Sequence, residues 1–190
     1  MSQINVDIIS GSTSDLIQIR GDIAEGFVTA STGGNGSHAE GFYTVANGES
    51  SHAEGQNTVA SGVGSHAEGF LTTASGYQAH AEGYVTKATN TATHTEGQYN
   101  TASGFYSHAG GSNSVASGTA SFIHSSYSLV SGDRSVVLGG QNITGATADT
   151  VYVPKIEIAE MAQGIIMKSP DGTRYKLTIA NGGTISIVSA

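Results

Sequence analysis

Between Ser37 and Arg134 small and polar side chains alternate in a frame that restarts every fourteen residues. The units read SHAEGFYTVANGES from Ser37, SHAEGQNTVASGVG from Ser51, SHAEGFLTTASGYQ from Ser65, AHAEGYVTKATNTA from Ala79, THTEGQYNTASGFY from Thr93 and SHAGGSNSVASGTA from Ser107. Two divergent units follow, SFIHSSYSLVSGDR from Ser121 and SVVLGGQNITGATA from Ser135, and a lead-in from Asp22 to Gly36 carries AEG with one extra residue. Positions one to five and eight to twelve alternate as strands do, whereas the remaining four vary freely as turns do. The pattern predicts a β-solenoid in which each coil holds two five-residue strands and two two-residue turns. In the coil from Ser65, Ser65, Ala67 and Gly69 then share the inner side with Thr72, Ala74 and Gly76, while His66 and Glu68 point the other way. Nine such coils, at about 4.8 Å each, make a rod of roughly 43 Å.

A coil this short has room inside only for Gly, Ala, Ser or Thr. Each buried methyl contributes about 0.8 kcal/mol, against roughly 1–2 kcal/mol to order each residue. Association of chains is the expected source of further core. The divergent coils suggest where. Phe122 and His124, then Val136 and Leu138, take the places that His and Glu hold upstream. A side that accepts each of these pairs reads as a subunit interface. Its ladder is His38, His52, His66, His80, His94 and His108 with Glu40, Glu54, Glu68, Glu82 and Glu96, continued by Phe122, Val136 and Leu138. Val45, Val59, Val115, Leu129 and Ile143, counted at the ninth coil position, are expected on the other side of that contact.

Composition narrows the function classes. Glycine supplies 27 of the 190 residues, tryptophan and cysteine none, and charged residues 12%. A disulfide framework and a cysteine metal site are therefore excluded. The formal net charge is −8 and the seven Lys and Arg are scattered, so a nucleic-acid footprint is not expected. No run approaches the roughly 20 apolar residues of a membrane helix. The opening MSQINVD has neither a basic segment nor a long apolar run, and the expectation is no signal peptide.

The ends follow other patterns. Residues 1–21 contain INVDII and DLIQIR around GSTS and are expected to form an attachment or capping segment. The repeat shaft is expected over 22–148, and a β-hairpin or meander module over 149–190. There, GIIMK, a Ser169-Pro170-Asp171-Gly172 turn and Thr173 to Ala180 form a hairpin, and Asn181-Gly182-Gly183 turns the chain into TISIVSA.

SVVLGGQNI resembles the SVAIG-type repeat in the heads of YadA-like trimeric autotransporter adhesins. The SHAEG-x-x-T-x-ASG arrays look like those of bacteriophage tail-fibre and appendage proteins. The resemblance implies an all-β, left-handed parallel β-roll of 14-residue coils, homotrimeric, with the antiparallel module at the C-terminal end. It extends over residues 22–148. The sequence has no counterpart of the adhesins' stalk, membrane-anchor barrel or signal peptide, so a virion protein is expected, with the extracellular or cell-surface adhesin as the alternative.

Candidate chemistry lies on the ladder and at the turns. Serial histidines can bind transition metals or switch with pH, and His donating to Glu also makes a hydrogen-bonded interface ladder. The ladder reading is preferred, with no metal and no cofactor. A serially repeated H-x-E offers no distinctively placed acid, base or nucleophile, so no catalytic residue is assigned and an enzyme is not expected. Aromatics recur at turn positions, and Tyr43, Tyr77, Tyr84, Tyr99 and Tyr106 are candidates to face a glycan. Their plainer reading is that they cover turn edges. The expected partners are two further copies of the chain, other virion structural proteins, and a host surface receptor or glycan, with no nucleic acid and no membrane insertion.

Overall fold

The structure is a computed structural model that describes residues 23–27, 30–31, 35–157, 165–179, 183 and 185–189. The expected attachment segment, residues 1–21, lies outside them. Among the described residues there is no helix. Two compact units divide at Tyr152 and Val153.

The first unit is a parallel β-solenoid. One sheet has ten strands and the other nine, and each follows the coils in order. Pairing is like on like: His52 lies against His66, Ala53 against Ala67 and Glu54 against Glu68, and Val59 against Thr73. The first sheet begins at the histidine, with His66–Phe70 as an example, and its strands span five residues in the coils from Ser37, Ser51, Ser65 and Ser107 but two in those from Ala79 and Thr93. The second sheet is thinner than the alternation predicts, with two-residue strands such as Thr73–Ala74. Corners take the rest.

The corners explain the period. Residues seven and fourteen of each coil are left-handed: Leu71 has φ 56° and Gln78 φ 53°, and the same holds at Tyr43, Ser50, Asn57 and Ala92. Few of these residues are Gly, Asn or Asp, so each costs about 1–2 kcal/mol of backbone strain. Stacking offsets it, because Leu71 N–H donates to Gln56 O and Gln78 N–H to Val63 O, both at 2.9 Å. A coil is therefore two seven-residue halves, each an extended run closed by one left-handed corner.

Inside, positions one, three, eight and ten are buried. Ser65, Ala67, Thr72 and Ala74 are at most 1% exposed. Some buried hydroxyls turn to the backbone, as when Ser51 Oγ donates to Gly48 O at 2.7 Å, whereas those of Ser65 and Thr72 have no hydrogen-bond partner in the single chain. Asn100 replaces threonine in the column and is fully buried. Its amide donates to Glu96 O at 2.6 Å and Gly111 O at 2.8 Å, and its Oδ1 accepts from Ser114 N–H at 2.8 Å. Ser114, smaller than threonine, leaves room for it.

Three sequence expectations change. Gly69 is exposed rather than inward. Its φ is +105°, and a Cβ there would run into the backbone of Gly83 in the next coil. The interior is also not confined to small residues, because Ile123, Val130 and Val137 are buried with 0% exposure. Finally, the coil from Ser135 holds fifteen residues, since Leu129 pairs with Thr144 and Val136 with Val151. The irregularity falls between Leu138 and Gln141, where Gly139 and Gly140 both have positive φ. Ile143 therefore leaves the ninth position and packs against the core with Tyr152.

Tyr152 ends the stack. It lies in register with Val137, and its ring occupies the space that a Cβ on Gly145 would take, 2.8 Å away. Its hydroxyl accepts from Thr147 N–H at 2.9 Å. The second unit is the expected meander, with antiparallel strands Ile165–Lys168, Arg174–Ile179 and Ile185–Ser189. The first turn closes as read, with Gly172 N–H donating to Ser169 O at 2.9 Å.

Candidate functional site

Strand alternation places position two of every coil on the outer side of the first sheet, and the 14-residue register then stacks the imidazoles. Ring centroids of His38, His52, His66, His80 and His94 follow one another at 4.8–4.9 Å, with interplanar angles of 2–11°. Between His94 and His108 the stack breaks, the rings standing at 86°. Phe122 resumes it, 4.6 Å from His108 at 21°. Val136 follows in register with Phe122, and Leu138 with His124. Leu138 is 43% exposed on the single chain.

Glu40, Glu54 and Glu68 flank the stack two residues on, with His–Glu separations of 3.7–3.9 Å within a coil. Further along, the carboxylates reach the next coil instead. Glu82 Oε1 is hydrogen-bonded to His94 Nε2 at 3.2 Å, and Glu96 Oε1 lies 3.3 Å from His108 Nε2. The Nε2 atoms of His38, His52, His66, His80 and His108 are shielded from solvent without a hydrogen-bond partner in the single chain. Each glutamate thus has a histidine of its own chain beside it, and the ladder retains donors or acceptors to spend on something else.

Burial sets the protonation of the stack. It lowers the His52 and His80 imidazoles below their ordinary value, and the neighbouring imidazoles push the same way. His38, His66, Glu40 and Glu54 face His52, while His66, His94, Glu68 and Glu82 face His80, the carboxylates opposing the shift. Burial lowers His108 likewise. A base with a depressed folded pKa binds fewer protons folded than unfolded. The stability it contributes is complete above about pH 6.5 and is lost as pH falls through the window beneath. The thermal midpoint will therefore drop between about pH 7.5 and pH 5.5, and the drop will shrink when His52 and His80 are both changed to Gln. A midpoint that is level or rises on acidification would contradict this assignment.

The five candidate tyrosines do not form one surface. Tyr43, Tyr84 and Tyr99 lie at the first corner of their coils, Tyr77 and Tyr106 at the second. All are exposed by 41–63%. The first edge brings rings together, with Tyr84 stacked on Phe70 at 5.2 Å and edge-on to Tyr99 at 5.3 Å. Sequence reasoning missed one arrangement on the outer side: Glu96 lies close to His124 as well as His108, two coils away, across Gly110. The missing glutamate in SHAGG was its signal.

A repeating parallel coil with an outward polar ladder defines the first unit as a parallel β-solenoid. The chain is similar to the YadA head domain repeat, which matches in two copies over residues 39–65. No curated protein matches the chain.

Proposed function

We propose that the chain is a non-enzymatic, homotrimeric fibre or appendage protein of a virion, whose solenoid spaces and presents a tip. The observation that carries this reading is the interior. From Ala39 to Ala88 the buried apolar column is alanine alone, too thin to offset the ordering of fourteen residues per coil. The C-terminal meander has the same deficit, with Ile165, Ile166, Met167, Ile179, Ile185 and Ile187 exposed by 43–73%. Three copies would cover what one leaves open. The purified chain will run as a trimer in native mass spectrometry down to the lowest workable concentration. A folded monomer would end this reading.

The second reading is a receptor- or glycan-binding adhesin at a phage or bacterial surface. Its support is the likeness to the YadA head repeat and the Phe70, Tyr84, Tyr99 edge. Binding of the trimer to a glycan array, lost on Tyr84→Ala and Tyr99→Ala, would favour it over the spacer. An empty array would favour the spacer.

A further inference from the structure

We infer that Glu96, His108 and His124 form a divalent transition-metal site, with Zn²⁺ as its natural occupant, that clamps three successive coils. Position four is glutamate in the coils from Ser37 to Thr93 and glycine only at Gly110, in the coil from Ser107. Gly110 does not have the positive φ of its neighbour Gly111, so its backbone does not call for glycine. Space does. A Cβ on Gly110 would lie 2.7 Å from His124 Nδ1 and 3.0 Å from Glu96 Oε1. The missing side chain opens a notch into which the coils on either side turn their polar ends.

The donors have metal-ligand chemistry and spacing. Glu96 Oε1 is 3.3 Å from His108 Nε2 and 3.6 Å from His124 Nδ1, and the three donor atoms lie within 4.8 Å of one another. Tetrahedral zinc with bonds of about 2.0–2.1 Å holds its donors roughly 3.3 Å apart. Two imidazoles and one carboxylate suit zinc and leave a position for water. His108 Nε2 is solvent-shielded and lacks a hydrogen-bond partner.

The regular part of the ladder does not offer this arrangement. His52, Glu54 and His66 also come close, as do Glu68, His80 and Glu82 with a single imidazole, but the His52 and His66 rings are parallel, 4.8 Å apart with 4° between their planes. Parallel imidazoles direct their nitrogen lone pairs the same way and do not converge on one ion. At the notch the stack is broken, His108 standing at 86° to His94, and His124 enters from position four through its other nitrogen. The frame beneath is fixed as well, because the buried Asn100 amide holds the carbonyls of Glu96 and Gly111 on either side of Gly110. Supports of this kind orient ligands. The clamp spans the step at which the interior changes from Ala109 to Ile123.

The test uses the full chain, stripped with chelator and titrated calorimetrically with Zn²⁺. One ion per chain is expected, with a rise in thermal midpoint. Gly110→Leu fills the notch with a side chain that has no donor atom, the one present as Leu138 at the same coil position, and displaces only the flexible ends of Glu96 and His124, so it will fold, as circular dichroism will check, and bind Zn²⁺ at least about tenfold more weakly. His124→Ala will do the same, and His52→Gln will leave affinity and stoichiometry unchanged. Zn²⁺ binding that survives Gly110→Leu, or falls equally with His52→Gln, or is absent from the unaltered chain, would overturn the site.

Discussion

Gly62→Ala will destabilise the solenoid by about 3 kcal/mol or more, while Gly64→Ala, two residues on, will cost about 1–2 kcal/mol. The difference lies in what a methyl group meets. At Gly62 a Cβ would run into the carbonyl of Gly76 in the next coil. Relief requires the two coils to shift against each other, which strains the bonds from Ser61 and Gly62 N–H to Ala74 O. Overpacking of this kind costs about 1–3 kcal/mol where side chains can relax and more where they cannot. At Gly64 a Cβ would sit 3.5 Å from the flexible Gln78 side chain. Its φ of +64° is one that Ser50, Gln78 and Ala92 adopt at the same corner position. Thermal melting with size-exclusion chromatography will separate the two: Gly62→Ala with a greatly lowered midpoint and aggregation, Gly64→Ala folded with a midpoint moderately below the parent's. Equal effects would contradict the direction assigned to the position-twelve glycine.

Ile123→Ala will be the most damaging truncation in the solenoid, at about 2–5 kcal/mol. Among the described residues, Ile123 is wholly buried with Val130 and Val137 where the apolar column of the interior is wider than alanine. The coils on either side are held by their backbone ladders and cannot collapse into the void. Denaturant unfolding of the purified chain will report the loss, and a change below about 1 kcal/mol would mean that this segment relaxes freely. Leu138→Ala removes a similar side chain from a 43% exposed position, so any large effect there reads out contact with a partner chain instead.

The architecture was legible because fourteen-residue self-similarity leaves few ways to stack. Ala67 and Ala74 could be placed inside from alternation alone, as could the outward His66 and Glu68. What could not be read was the corner. Leu71, Gln78 and Tyr43 carry no signature of left-handed backbone, since that conformation is imposed by hydrogen bonds from the adjacent coil. The two-residue second strand follows from it. The fifteen-residue coil was missed because the added residue is one of two consecutive glycines, where sequence shows no break, and Ile143 was misplaced with it. At the outer face the sequence paired each histidine with a carboxylate, but not which one. That choice changes along the stack, from Glu68 beside His66 to Glu82 beside His94, and depends on rotamers no periodicity encodes.

Like-on-like pairing has a consequence for how the coils find one another. A lattice of identical steps is degenerate: sliding one segment by a whole coil sets His on His and Ala on Ala again, at nearly the same energy. A perfectly regular chain would have many competing alignments and a small gap between them. The departures from regularity remove that degeneracy. Asn100 fits only above Ser114, Glu96 and His124 only around Gly110, and Tyr152 only over Gly145. They act as vernier marks, so that a slip of one coil, harmless among the alanines, leaves a buried amide without its partners and a large ring without its recess.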